Sequence, residues 1–533
     1  MKKLILSGQV LCLFFLSMRF LVSLGMTLCV ICVNLCFAKW TFIVYMAGDN
    51  SLDTALGGNQ LNKDIKKMET TINTTNTNVI VLADRNGDEN TYIYNILNDN
   101  SYCITSPTIS VSNLLPACTT NELNMGDPAT LVAFSTWVIT NWSADNYCLV
   151  LWNHGGGWWP KAPKRGIAWD DNTLDNDYLT TAELGTALSQ IKTILGGEWS
   201  GKKIDIVGFD ACLMAQLEVA YQIKDYADYM VASEENEYGW PYDGLLAELG
   251  TNPNYEPEIV SQKIVEIWDK AYSDETFSWF SVNFDSRTAS AIDLSKIETL
   301  TTAIDNLATE LLVSKNTVPL YLTRDVVDFF GGKGGSRDEN DKFGGIDIYD
   351  LAYIIKQNPD LSAGSLRNAA VSVMDTVNDC VIANKTGNSH KNAHGLSINF
   401  PKTLLAWQNE NNPDNYYETL QFAQATHWDE FLTDYYSKVL YGPQSLNYVV
   451  SAPNPYNPLT GNLTIKNFPD NSQIEVKIYN LEGVLVRKIE GSGNSIDWDG
   501  KNEEENTVAS GIYFYVAKTQ TDSCKGKITV IKR

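Results

Sequence analysis

Two apolar runs decide the fold: YCLVLWNHGGGWW at residues 147–159 and KIDIVGFDACLMAQLEVAYQI at residues 203–223. Each has the length and β-branched content of a buried strand, and each stops abruptly at a reactive side chain, His154 in the first and Cys212 in the second. The second run then takes up a helical period. Both residues are therefore expected at the carboxyl ends of parallel strands, the rim where open α/β sheets place their chemistry.

Working outward, WTFIVYMAG (40–48) reads as a buried strand, with Asn50 or Ser51 capping a helix through Met68. NVIVLAD (78–84) reads as a second buried strand and TYIYNIL (91–97) as an alternating edge strand. Residues 127–142 are helical in period, with Pro128 suited to the first turn. The stretch from Gly155 to Tyr178, rich in Gly, Pro and Asp, is expected as a surface excursion. Thr180 and Glu183 are spaced as a capping box for a helix to about Ile194. With the strand at 227–235, the series implies a single mostly parallel sheet between helices.

Beyond Thr251 the pattern is largely helical, near 255–273, 295–314, 347–357 and 363–384. Two strand candidates interrupt it, FSWFSVNFD (277–285) and HGLSINFP (394–401), read as sheet extensions of the same unit. FFGGKGGSRDENDKFGG (329–345) has the composition of a mobile loop open to proteolysis. After a linker at 441–456, short alternating strands separated by tight turns predict a small all-β sandwich over 457–533.

Composition bounds the function. The 533 residues carry 40 basic and 64 acidic side chains, a net charge of −24, which argues against nucleic acid as a partner. Residues 1–38 read as an export signal cleaved after Ala38, with Met18 as an alternative start. The uncharged part from Phe20 to Ala38 is also long enough for a retained anchor. The cysteines after the leader are too sparse for a disulfide scaffold and form no CxxC pair for zinc. Cys103 and Cys118 are close enough in sequence to pair, or else remain free thiols.

A cysteine nucleophile needs thiolate character, access and a nearby acid or base. Cys212 is expected where a strand gives way to a helix, whose amino end would lower its pKa. His154 precedes three glycines, which let the backbone approach a substrate and offer the Gly155 N–H to an oxyanion. His390, His394 and His427 read as structural. Asp210 should face the same side as Cys212; it either binds a substrate cation or bonds local amides.

These stretches resemble the clostripain family of cysteine peptidases, related in fold to caspases, legumain and gingipains. The resemblance rests on FIVYMAGDNSL (42–52), LVLWNHGGGW (149–158), AWDD (168–171), LTTAEL (179–184), IDIVGFDACLMAQLEVAYQI (204–223), ASEENEYGWPYDGLL (232–246) and HGLSINFP (394–401), and covers roughly residues 40 to 440. It implies a caspase-like, mostly parallel sheet flanked by helices over 39–440, with His154 as the catalytic histidine and Cys212 as the nucleophile. The amides of Gly155 and Cys212 would form the oxyanion hole. Asp210 would bind the substrate's basic side chain, giving protein or peptide substrates cut after Arg or Lys. No metal ligand is assigned; some relatives use calcium, so calcium is the one cofactor the resemblance raises, although no EF-hand loop is present. The C-terminal stretch resembles Ig-like and sorting domains of secreted proteins, through NPLTGNLTI, VKIYNLEGVLV, WDGKN and VASGIYFY, implying secretion machinery or a cell surface as partner. The expectation is a secreted endopeptidase; the alternative is a non-catalytic surface binding protein on the same scaffold.

Overall fold

In the computed structural model the described residues are 38–532, apart from 55–58, 88, 115–119, 159–165, 172–176, 197–200, 274–283, 315–319, 321–323, 325, 332–343, 360, 362–363, 403, 411–416, 442–449, 467, 469–471 and 520–522. The expected leader, Cys118, most of the strand candidate at 277–285 and most of the loop at 329–345 lie outside them. The chain divides into two compact units, Met1–Leu432 and Thr433–Arg533.

The strands of the first unit are β1 (Ala38–Ala47), β2 (Thr77–Asp84), β3 (Tyr92–Asn95), β4 (Thr108–Ile109), β5 (Ala144–Trp152), β6 (Ile204–Asp210), β7 (Ala227–Ala232), β8 (Thr288–Asp293), β9 (Gly345–Asp347), β10 (Val381–Thr386) and β11 (Ser397–Asn399). All but β9 and β11 form one sheet in the order β10-β8-β7-β6-β5-β1-β2-β3-β4. Its centre, β7-β6-β5-β1-β2, is wholly parallel. Antiparallel strands close both edges. Helices cover both faces, which is why the central strands read as unbroken apolar runs rather than as alternation. Along β1, Val44 and Met46 join a core with the helices Gln60–Thr71, Tyr242–Thr251 and Pro257–Ser273. Tyr45, between them, meets Phe134 of the helix Pro128–Asn141, with ring centroids 6.4 Å apart.

Local signals hold where the sequence carried them. Asp127 caps its helix with Pro128 in the first turn. The capping box is reciprocal: the Thr180 N–H donates to Glu183 Oε2 at 2.9 Å and the Glu183 N–H to Thr180 Oγ1 at 3.2 Å.

Three expectations are corrected. Asn50 caps only a single turn, Ser51–Asp53, and the helix expected to follow directly begins at Gln60; the intervening sequence contains Gly57-Gly58, a poor helix interior. The helix expected to run to residue 384 stops at Cys380, and the next six residues become β10 on the sheet edge. HGLSINFP supplies β11, which pairs with β9 instead of extending the main sheet. Its position is fixed by the Ser397 N–H, which donates to Ala215 O at 2.9 Å and so stitches β11 to the segment after Cys212.

The second unit contains β12 (Val450–Ala452), β13 (Leu463–Lys466), β14 (Ser472–Tyr479), β15 (Leu485–Gly493), β16 (Ser495–Trp498), β17 (Gly511–Lys518) and β18 (Ser523–Val530). The sheets β12-β13-β16 and β15-β14-β17-β18 enclose a core that includes Tyr456, Val476, Trp498, Tyr515 and Ile528. β12 lies inside the stretch expected as linker, where Val450 pairs with Lys466.

Candidate active site

The register of β5 and β6 sets Trp152 opposite Asp210, so His154 and Cys212 each follow that pair by two residues on neighbouring parallel strands. Gly155 is pressed against Cys212: a Cβ there would collide with the Cys212 carbonyl oxygen and lie 2.9 Å from its amide nitrogen. Only glycine permits this approach, and it lets the Gly155 N–H reach the Cys212 sulfur. A second amide, that of Glu237, donates to the same sulfur at 3.3 Å. The site therefore offers backbone donors around a sulfur at the sheet's carboxyl rim.

His154 is held by the loop that follows β1. Its Nε2 lies 2.9 Å from Ser51 Oγ, on the turn capped by Asn50. Asn50 Nδ2 donates to Ala47 O at 2.8 Å and to Trp169 O at 3.2 Å. Asn153 Nδ2 donates to the same two carbonyls. The histidine thus sits where the chain after β1, the end of β5 and the segment around Trp169 are tied together. Sequence reasoning treated Asn50 and Ser51 only as helix caps; Ser51 near His154 becomes visible once β1 and β5 are known to be neighbours.

The surroundings of Cys212 correct another expectation. The helix Leu217–Ile223 begins five residues beyond it, so the amino end of that helix does not adjoin the thiol as expected. The intervening amides are used elsewhere: the Leu213 N–H donates to Glu235 O and the Ala215 N–H to Ser233 O. To make that turn Leu213 takes φ +64°, a left-handed conformation costly for a non-glycine residue. Burial pushes the Cys212 thiol up to about 12, the charges of Glu237 and Glu235 adding to it while the Glu237 and Gly155 amides oppose it. These surroundings favour the neutral thiol, opposite in direction to the helix-lowered pKa expected from the sequence.

Asp210 is 4% exposed and shares its surroundings with Cys212 through Glu237. The Glu237 backbone touches the sulfur, and its carboxyl accepts from Trp268 Nε1 at 2.8 Å and interacts with Asp210. Tyr242 donates its hydroxyl to Asp210 Oδ2 at 2.7 Å. Asp64 completes the cluster, receiving Trp152 Nε1 at 3.0 Å and the Lys67 ammonium at 2.8 Å. Burial first, then the charge of Asp64, pushes Asp210 up to about 6. Burial and then Asp210 push Glu237 well above the carboxylate range. Asp64 and Glu237 escaped the sequence reading because Asp64 and Lys67 look like an ordinary helix-surface pair.

None of the other histidines approaches this chemistry. His390 is buried, not on a surface-like turn, with Nδ1 2.7 Å from Asp328. His394 donates to Asn392 O and stacks on Tyr349 at 3.8 Å. His427 pairs with Asp305 at 2.8 Å. Among the described residues one group has the proximity needed to hold a metal ion, Asp49, Asp84 and Asp170.

Comparison with known proteins agrees with this architecture. Clostripain from Hathewaya histolytica is 29% identical over 413 residues, covering 68% of this chain and 74% of that protein. A secreted C11 cysteine protease from Bacteroides thetaiotaomicron, solved with an irreversible peptide inhibitor, superposes with a TM-score of 0.52 at 20% identity, covering 74% of this chain and all of that one. An inactive C11 zymogen from Parabacteroides distasonis gives 0.51 at 20% identity, covering 73% and 98%. Residues 452–531 match the CHU_C type IX secretion signal domain, and the protein is secreted or displayed at the cell surface. The clostripain family model matches residues 44–435. Because that span reaches every strand of the large sheet and both reactive strand ends, the chain belongs to the clostripain family of cysteine peptidases.

Proposed function

We propose that the protein is an endopeptidase that cleaves after basic residues, Arg foremost and Lys as well, through a dyad of Cys212 and His154. The Cys212 sulfur attacks the scissile carbonyl carbon, and its proton passes to His154. The oxyanion is held by the amides of Gly155 and Cys212. His154 then protonates the amine as the C–N bond breaks, leaving a thioester, which water hydrolyses to the acid and the free thiol. The observation that carries this reading is the contact of Gly155 with Cys212, which brings a backbone donor onto the nucleophile itself.

Support for basic specificity comes from the carboxyl groups of Asp64, Asp210 and Glu237. The Lys67 ammonium on Asp64 is the kind of group such a cluster receives. Gly239 lies beside them, and a Cβ there would be 3.9 Å from Asp210 Oδ1 and 4.0 Å from Asp64 Oδ2, so the absent side chain leaves room against the carboxylates. In the test, the leaderless chain is offered reporter peptides ending in Arg, Lys, Leu or Asp. Cys212→Ala and His154→Ala should each lower kcat/KM by roughly a thousandfold or more. Asp210→Asn should lower kcat/KM for Arg by about a hundredfold, the scale of a lost buried charge partner, while leaving iodoacetamide alkylation of Cys212 nearly unchanged. Equal losses in cleavage and alkylation would assign Asp210 to the fold instead of the substrate. No cleavage of any reporter would favour the binding-protein alternative.

A further inference from the structure

Behind the turn that follows Cys212, a histidine outside the mechanism stands between two carboxyl groups. His390 ends the single turn Asn388–His390 beyond β10 and is 3% exposed. Its Nδ1 lies 2.7 Å from Oδ1 of Asp328, whose neighbour Phe329 bridges to Ile346 of β9. Its Nε2, buried and without a hydrogen bond, faces Glu235 Oε2 at 3.5 Å. Glu235, just beyond β7, is buried, and its carboxyl meets two further donors: Oε1 accepts from the Asn236 N–H at 2.8 Å and Oε2 from the Gly331 N–H at 2.9 Å.

The backbone around Glu235 holds the turn that carries Cys212. Its carbonyl oxygen accepts from the Leu213 N–H at 3.1 Å, one residue past the cysteine, and two residues on, the Glu237 N–H donates to the sulfur at 3.3 Å. Phe330, its ring 5.1 Å from that of His390, packs with Leu213 and Ala393 in a small core against Cys212. Both lines of contact to Cys212, through Glu235 and through Phe330, start at the same imidazole. A neutral imidazole carries one N–H and can donate to only one of its two carboxyl partners. With Nδ1 directed to Asp328, the approach of Nε2 to Oε2 sets lone pair against lone pair unless a proton lies between them. Burial pushes the Glu235 carboxyl up, which favours keeping that proton. The other ionisable groups packed here, Glu234, Asp347 and Asp350, are acids whose charges favour it too, and His394 turns to Asp347 at 3.4 Å.

We propose that His390 is a positioning residue for Cys212: through one proton held between its Nε2 and Glu235 Oε2 it fixes the segment 235–237, and with it the Glu237 amide against the sulfur. The imidazole touches neither the sulfur nor the substrate, and it acts only through Glu235. Its contact with Asp328 aims the ring and contributes to the fold, whereas its contact with Glu235 sets the geometry at Cys212. The inference rests on Cys212 as the reacting sulfur, and alkylation reads that sulfur whether or not any reporter peptide is cut.

Two substitutions in the whole chain separate the two ends of the ring. His390→Gln places an amide where Nε2 stands, keeping a partner for Glu235 and losing Asp328; His390→Asn keeps a donor for Asp328 and loses Glu235. Iodoacetamide alkylation is followed by mass spectrometry of the peptide containing Cys212, so that other thiols are silent. His390→Asn should slow it roughly tenfold, the scale of a lost hydrogen bond to a charged group, and should lower kcat similarly with KM within about twofold. His390→Gln should stay within about threefold of the parent in both rates, even though its melting temperature falls. If His390→Asn does not fold, Glu235→Met removes the same contact from the other side and should show the same losses. The proposal fails if the Asn and Gln variants lose alkylation equally, in step with their melting temperatures, for His390 would then be a packing residue. It also fails if His390→Asn or Glu235→Met alkylates at the parental rate. A chain that cut no reporter would count against the peptidase reading, and the alkylation rates would still decide the role of His390.

Discussion

The surroundings of Cys212 favour its neutral thiol. Its sulfur lies among backbone amides, 3.3 Å from the Glu237 nitrogen, with burial holding the thiol up to about 12. A group so raised is protonated at neutral pH, and its thiolate fraction grows about tenfold per pH unit until the pKa is reached. Inactivation by iodoacetamide, followed through loss of peptidase activity so that the exposed Cys103 is silent, should therefore accelerate about tenfold per pH unit between about pH 7 and 9. A rate already level at pH 7 would instead mean a resting thiolate–imidazolium pair with His154. The strained φ of Leu213 belongs to the same turn: a left-handed residue next to Cys212 costs about 1–2 kcal/mol, and there its own N–H donates to Glu235 O while the Ala215 N–H donates to Ser233 O. His154, Gly155 and Cys212 could be found from sequence because each stands where an apolar run ends. Ser51 and Glu237 could not, since their roles arise only when loops distant in sequence converge on the same rim.

At the scale of elements, the helix after Cys212 is anchored by a buried carboxyl. Glu218, in Leu217–Ile223, accepts from the Asn399 N–H at 2.9 Å and from the Tyr417 hydroxyl at 2.8 Å, both on Oε1. Burial pushes it up to about 7, against which these bonds work. A carboxyl that holds its proton more tightly when folded contributes stability fully below the ordinary carboxylate range and loses it as pH rises through about 7. Asp205 and Asp350, each raised to about 6 by burial, act in the same direction. The melting temperature should therefore fall between about pH 4 and 7, and Glu218→Gln, which keeps an acceptor for both donors, should flatten that fall by a few kcal/mol at most. An unchanged slope in the Gln variant would remove Glu218 from the account. The strands themselves divide by how their stability arises. β1, β2, β5, β6 and β7 are legible because burial on both faces demands long apolar runs. β8, TASAID, and β10, VIANKT, lack such runs; they gain their structure by pairing with each other across nearly a hundred residues, which no local pattern records.

For the whole molecule, the separation of cores decides what each unit contributes. The C-terminal core draws only on residues from Tyr456 to Val530, whereas His154, Cys212, Asp210 and the Asp49, Asp84 and Asp170 group all lie in the unit that ends at Leu432. Each unit therefore has its own apolar core, the condition for folding alone. A chain ending at residue 446, beyond the helix Trp428–Tyr441, should keep kcat/KM within about twofold of the full chain, because no group proposed for catalysis or substrate binding is removed. Calorimetry of the full chain should resolve two transitions and the shortened chain should lose one, since units with separate cores need not melt together. Export separates the roles further: in a host with type IX secretion, the shortened chain should remain inside the cell while the full chain reaches the surface or the medium. A shortened chain that lost activity by more than about tenfold while retaining its own melting transition would show that the C-terminal unit supports the active site and does more than direct secretion.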